Sequence, residues 1–283
     1  DKLLAMLELL AQTDDPIDKL SALRRAAQIA EHGQHDSALA LSYLGRALAL
    51  ASEHESLPEL LGDYSQLAQA TGRYVEYVTC LQELAPHVLD PEQRVRVYQD
   101  IATTAHEKLA DVALARASYR KALDEQPDDM ALLDALIELD AAAGDHAALI
   151  DVLGRKASLV IDAKQRALLL ERQADVYERG LDDAPHAISA LEDAIAQEPL
   201  HSAYAALERL YQRTHRYGDL ANLYEQQLER SIGREVDVRC KLARTHRQYM
   251  NDNHAALGQL REATARDPNH AEAIALLEAI MSE

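Results

Sequence analysis

Three prolines, Pro127, Pro199 and Pro268, stand 72 and 69 residues apart in matching surroundings. The stretches read KALDEQPDDMALLDAL, DAIAQEPLHSAYAAL and EATARDPNHAEAIALL. Ahead of each proline, Ala115, Tyr119 and Ala122 correspond to Ala187, Leu191 and Ala194, then to Ala256, Leu260 and Ala263. Small, large, small at spacings of four and three is one face of a helix. Further upstream, Ala102 and Leu109 match Ala174 and Leu181, then Ala243 and Met250. A chain that repeats itself at a fixed period folds as an array of small units. Each unit alone leaves its apolar stripe in water, and stacking covers it.

A second class of unit alternates with the first. GRYVEYVTCLQEL, GDHAALIDVLGRK and HRYGDLANLYEQQ align, with Gly72, Gly144 and His215 at the turn. Tyr77, Leu149 and Leu220 follow, then Leu81, Leu153 and Tyr224, at steps of 72 and 71. The period is therefore a super-repeat of about 71 residues holding two helical hairpins. Ten Gly and eight Pro in 283 residues, with abundant Ala, Leu, Glu and Arg, favour helix over strand. The expected fold is all-α, a right-handed superhelix (α-solenoid) of about seven antiparallel helical hairpins. They fall over 17–51, 57–87, 91–125, 129–160, 163–197, 201–230 and 234–266, as a single array over 1–283. Residues 1–12 read as a remnant second helix and 270–281 as a terminal helix. Within the hairpins, continuous helices are expected over 74–87 and 163–180. Asp14-Asp15-Pro16, Asp90-Pro91 and Asp183-Ala184-Pro185 put acid and proline at helix starts.

The segment LERLYQRTHRYGDLANLYEQQLE (207–229) sets Leu207, Tyr211, Leu220 and Tyr224 in the large-residue places of the tetratricopeptide repeat. Pro127, Pro199 and Pro268 sit where that family's closing proline belongs. Nearly the whole chain resembles a tetratricopeptide-like solenoid, without the family's first-helix Trp and often without its turn Gly. The resemblance implies a binding scaffold whose first helices line a concave groove. It names no ligand.

Charge narrows the partners. The chain carries −19, and residues 1–150 hold 12 basic and 26 acidic residues, a net of −14. Duplex nucleic acid and anionic membrane surfaces both need a basic footprint that this chain lacks. Residues 201–250 reverse the sign, with nine basic and six acidic residues. No apolar run is long enough to insert in a membrane. No signal peptide is visible, so a cytoplasmic setting is expected. The start at Asp1, inside an amphipathic run, reads as a fragment of something longer. Arg outnumbers Lys 22 to 7, which suggests a high-GC bacterial gene.

No catalytic motif is present, so no enzyme activity and no cofactor are expected. Cys80 and Cys240 lie 160 residues apart and read as buried small hydrophobes rather than a disulfide or a metal pair. His32 and His35 flank Gly33 at a turn and should diverge, so no metal site is expected there. His246 and His254 read as solvated, and His201 and His270, which both follow a proline, as repeat-structural. Asp128-Asp129 and Asp182-Asp183 read as helix caps. Among the tyrosines Tyr204, Tyr211, Tyr217 and Tyr224, the second and fourth occupy core places, while a ligand-stacking role is the alternative.

The binding expectation rests on first-helix positions off the apolar stripe. In hairpins five to seven these are Arg172, Arg179, Arg209, Arg213, Lys241, Arg244 and Arg247, with Tyr204 beside them. In hairpins two and four they are Glu59, Asp63, Asp134 and Glu138. Guanidinium forks suit carboxylates. The expected function is a non-enzymatic scaffold that holds a partner peptide or protein, with an acidic segment, in the groove. The alternative is an architectural or self-assembling spacer, forming a homo-oligomer, or a regulatory domain of a longer enzyme.

Overall fold

The structure, a computed structural model, describes residues 2–13, 15–52 and 54–282. Among these, sixteen α-helices and no strand occur: α1 (Lys2–Leu10), α2 (Pro16–Gln34), α3 (Ser37–Leu50), α4 (Leu57–Thr71), α5 (Tyr74–Leu84), α6 (Pro91–Glu107), α7 (Val112–Glu125) and α8 (Met130–Ala143), then α9 (His146–Leu159), α10 (Ala163–Asp175), α11 (Ala184–Gln197), α12 (His201–Arg213), α13 (Tyr217–Glu229), α14 (Glu235–Tyr249), α15 (Asn253–Arg266) and α16 (Ala271–Met281). The chain divides into two compact units, Asp1–Ala143 with α1 to α8 and Gly144–Glu283 with α9 to α16. In the first, α2 packs on α3, α4 on α5 and α6 on α7. In the second, the pairs are α10 with α11, α12 with α13 and α14 with α15.

The helix ends follow from side-chain chemistry. Asp15, Asp36, Asp90, Asp111, Asp145, Asp162, Asp183 and Asp252 each accept a backbone N–H of the helix they start. The carboxylates satisfy donors that have no partner within the helix and face its positive end. Asp129 does the same for Ala131 and Leu132. Asp14, part of an expected start signal, lies outside the described residues. Turns after first helices use a left-handed residue, but glycine supplies it only at Gly72 and Gly144. His35, Ala110, Asp182, His215 and Asn251 take that conformation elsewhere, with φ between 50° and 57°.

Two expected helices are shorter. The helix from Tyr74 ends at Leu84 and continues as a 3₁₀ turn over Ala85–His87. Pro86 has no N–H to extend the α-helical ladder. The helix from Ala163 ends at Asp175 and passes into a π turn over Val176–Gly180. Gly180 is required there, because a Cβ would lie 2.7 Å from the His146 ring.

The repeat faces are the core. Ala102, Ala115 and Ala122 are buried, as are Ala174, Ala187, Ala194, Ala243, Ala256 and Ala263, so helices approach closely across them. Leu67, Tyr77, Leu81, Leu136 and Leu139 fill the first unit, and Leu207, Leu210, Leu220 and Tyr224 the second. Leu181 and Met250 do not join them and remain exposed, because they fall on the turn rather than the helix. Each unit also carries an arginine staple. Arg94 donates to the Val88 carbonyl at 2.7 Å and to Glu125. Arg166, 72 residues later, donates to the Val160 carbonyl at 2.6 Å and to Gln197. One arginine thus ties the preceding connector to the end of the following helix. In α8, Asp140 is fully buried and accepts from Arg116 and Arg120 of α7.

A first-helix ion-pair ladder and its cavity

In the second unit the first helices α10, α12 and α14, with the π turn after α10, present the basic residues singled out above. The π turn swings Glu178 toward α12, where its carboxylate accepts from Arg209 at 2.5 Å and Arg213 at 3.1 Å. The Glu178 side chain is 9% exposed, whereas Arg209 and Arg213 are 54% and 46% exposed. Lys241 of α14 bonds Glu208 of α12 at 2.9 Å. Arg244 pairs with Glu272 of α16, and Arg247 donates to the Ala279 carbonyl at 3.3 Å. Arg179 pairs with Asp175 one turn before it, and Arg172 is also engaged. The basic island is therefore a ladder that ties each first helix to the next.

Beside the first rung is a cavity of ≈ 300 Å³. Arg172, Arg179 and Arg209 line it with Glu171, Asp175 and Glu178, over apolar Leu168, Leu191 and Ala206. It brings three of the expected residues together. Lys241, Arg244 and Arg247 lie further along the ladder.

Tyr204 does not lie in this surface. It is 2% exposed and packed in the core, and among the described residues its hydroxyl makes no hydrogen bond, although the Arg230 charge is near. Tyr204, Leu207 and Tyr211 fall at helical spacings of three and four, so Tyr204 belongs to the apolar stripe. Tyr211 and Tyr224 are buried in the expected core places, with the Tyr211 hydroxyl donating to Glu192 at 2.6 Å. Tyr217 instead stacks on Tyr249, ring centroids 3.9 Å apart.

The acidic positions of the first unit are also paired. Glu59 and Asp63 of α4 both accept from Arg24 of α2, at 3.0 and 3.1 Å. Asp134 and Glu138 are engaged as well.

One arrangement that sequence reasoning missed has the look of catalytic chemistry. Cys240 Sγ lies 3.8 Å from His270 Nδ1, and His270 Nε2 lies 3.1 Å from Asp237. But Nδ1 accepts the Ala273 N–H as the cap of α16, which leaves the ring proton on Nε2 for Asp237. Cys240 is fully buried, and that burial pushes its thiol up to about 11. A protonated, inaccessible thiol is no nucleophile. The three residues fasten α14 to the start of α16, so His270 is a cap, whereas His201 simply begins α12 in solvent. Cys80 is only partly buried, and both cysteines are free. His246, expected at the surface, is buried with an unpartnered Nδ1, because it lies on the core side of α14. Among the described residues no group of three His, Cys, Asp or Glu could hold a metal ion. None of their helices is long and apolar enough to cross a membrane.

The described residues form tandem helical hairpins. No protein-family model matches the chain, and no curated protein matches it. Among solved structures, the crystal structure of MamA protein is 20% identical, covering 63% of this chain and 94% of that one, with a TM-score of 0.37. A tetratricopeptide repeat protein from Parabacteroides merdae is 13% identical over 93% of this chain and 98% of its own, also at 0.37. The structure of Naa15/Naa10 bound to HypK-THB is 16% identical over 95% of this chain and 40% of that one, at 0.48.

Proposed function

We propose that the chain is a non-enzymatic scaffold that binds an acidic segment of a partner protein along the first helices of its second unit. The observation that supports this most is the exposure of the ladder's arginines. Glu178 lies behind Arg209 and Arg213, and both guanidiniums stay about half in solvent. A guanidinium has five N–H donors, so accepting one internal carboxylate leaves others for a second. The cavity beside them offers apolar Leu168 and Leu191 to side chains that flank the acid. Binding would join an existing network rather than create an isolated buried charge, which keeps the desolvation penalty small.

Selection from a random peptide library displayed on phage tests the reading. Enrichment of Asp and Glu, abolished when Arg209 and Arg213 are replaced by Gln, supports it. Selection of sequences without acidic bias speaks against it.

A second reading, self-assembly, is favoured by α1. Its Leu3, Met6, Leu9 and Leu10 are all exposed, an apolar face suited to a second copy of the chain. Light scattering decides: a monomeric mass across micromolar concentrations removes this reading.

A further inference from the structure

The first-helix layer of the first unit is tied at one step and open at the next. Between α2 and α4, Arg24 holds Glu59 and Asp63. Between α4 and α6 no such tie involves the central carboxylate, Asp100. Among the described residues Asp100 forms no ion pair; the Tyr77 ring, which rises from the buried core of α5, lines a cavity with it, and its hydroxyl is near enough to favour the charged carboxylate. Ser65 of α4 lines the same cavity as Tyr77 and Asp100.

Asp100 stands where two cavities meet. One, of ≈ 310 Å³, is lined by Pro58, Leu61, Gly62, Ser65, Gln93 and Arg96 as well as Asp100. The other, of ≈ 170 Å³, runs on past Tyr74 and Thr103 to Lys108 and again includes Ser65 and Asp100. Gly62 contributes room, since a Cβ there would meet nothing within 4 Å. The cleft thus forms a channel with apolar Pro58 and Leu61 at one end and an acceptor, Asp100, where the two cavities meet. Asp100 is exposed at the mouth of the cleft, and the protein around it still pushes its carboxyl above the ordinary value, with the Tyr77 hydroxyl pulling the other way. An opposite charge brought close would relieve that desolvation.

The local cations do not fill the role. Arg96 is four residues before Asp100 on α6 and forms no ion pair, with the base preceding the acid, the weaker order for a helical pair. Lys108 is turned to Glu107 at 3.7 Å. The surroundings favour a cation from outside, since residues 1–150 carry a net of −14.

We propose that the α4–α6 cleft is a pocket for a lysine or arginine side chain on a segment of a partner protein, with Asp100 as the counter-ion and Leu61 and Pro58 covering the aliphatic stem. This rests on the scaffold reading and adds a second, oppositely charged contact to it. A long cationic side chain has the shape the channel asks for, a stem that packs on apolar surface and a head that must be paired.

The test uses the full chain and the peptides selected from the random library. A basic residue should recur at one fixed position. Replacing that lysine by norleucine should weaken binding about tenfold or more, the size of a lost charge-assisted hydrogen bond. Asp100→Asn, which keeps the shape and the acceptor for Tyr77, should weaken the lysine peptide by the same factor and no longer distinguish lysine from norleucine. Asp100→Ser serves if the Asn variant fails to fold, as judged by its melting curve. Asp124→Asn, which removes one negative charge from an exposed position of α7 outside both cavities, should leave affinity within about threefold. Selected peptides without a fixed basic position, discrimination that survives Asp100→Asn, or an equal loss in Asp124→Asn each overturn the pocket while leaving the scaffold reading intact. A library from which nothing is selected overturns both.

Discussion

Arg94 grips Glu125 with two parallel bonds, Nε to Oε1 at 2.7 Å and Nη2 to Oε2 at 2.8 Å. The fork closes hairpin three, and its third arm takes the Val88 carbonyl at the end of the preceding connector. Lysine cannot reproduce that geometry. Arg94→Lys is expected to destabilise the chain by about 1 kcal/mol, and Arg94→Ala by about 2 kcal/mol, because Val88 then loses its donor. Chemical denaturation measures both. The Arg94 hydrogen bond holds the Glu125 carboxyl below its ordinary value. The folded state therefore binds that proton less readily than the unfolded chain. This contribution to stability is complete above the ordinary carboxylate range and fades as pH falls through the folded-state value.

Ala110 carries a left-handed backbone, φ 53°, where the neighbouring hairpins have Gly72 and Gly144. A Cβ in that conformation crowds the following carbonyl. Ala110→Gly should raise stability by about 0.5–1 kcal/mol. Gly72→Ala is the reverse experiment, and nothing lies within 4 Å of the added methyl, so its loss of about 1 kcal/mol reports the backbone alone. A destabilised Ala110→Gly would show that the turn is not strained.

Asp140 is buried entirely between Arg116 and Arg120. Asp140→Ala should cost about 3 kcal/mol, the low end for breaking a buried pair, because Arg120 is half exposed and can rehydrate. Asp140→Leu should recover part of that loss. Equal unfolding midpoints for wild type and the Ala variant would mean that the pair contributes nothing.

The two thiols should differ. Cys80 is partly accessible and Cys240 is not, and burial pushes both thiols up. An aromatic disulfide reagent at neutral pH should label Cys80 slowly and Cys240 only after urea is added. Reductant should leave the melting temperature unchanged. Rapid labelling of two thiols in the native protein would contradict the burial of Cys240.

Much of the fold was legible because it is local and periodic. The alanines of the small–large–small face, such as Ala115 and Ala122, are the closest packing points, and their spacing alone marks them. The Asp caps declare themselves immediately before the helices they start, as Asp90 and Asp162 do. The π turn was harder to see: Gly180 is the only local signal, and the reason for it, His146, lies far back in the chain. The arginine staple had a signal that went unread, since VLDPEQR (88–94) and VIDAKQR (160–166) match at a spacing of 72.

The candidate surface was legible in outline and not in its pairing. Positions off the apolar stripe identified Arg209, Arg213, Lys241 and Arg244. Their partners Glu178, Glu208 and Glu272 stand 28 to 35 residues away, about one hairpin in sequence. Charge counted within one helix does not reveal such pairs. Tyr204 was set beside the groove residues, although its helical spacing from Leu207 and Tyr211 puts it in the core. Asp100 looked like any other solvated acid, and only the tertiary approach of Tyr77 sets it apart.

The central claim is that the ladder's half-exposed arginines receive an acidic segment. Titration calorimetry of the selected acidic peptide decides it, using wild type and a variant with Arg209, Arg213, Arg244 and Arg247 all changed to Gln. Gln keeps an amide donor for Glu178, so circular dichroism should show unchanged helix. The account predicts an affinity for wild type that falls as salt rises, and a loss of about tenfold or more in the variant. Equal affinities, or binding that ignores salt, would contradict it.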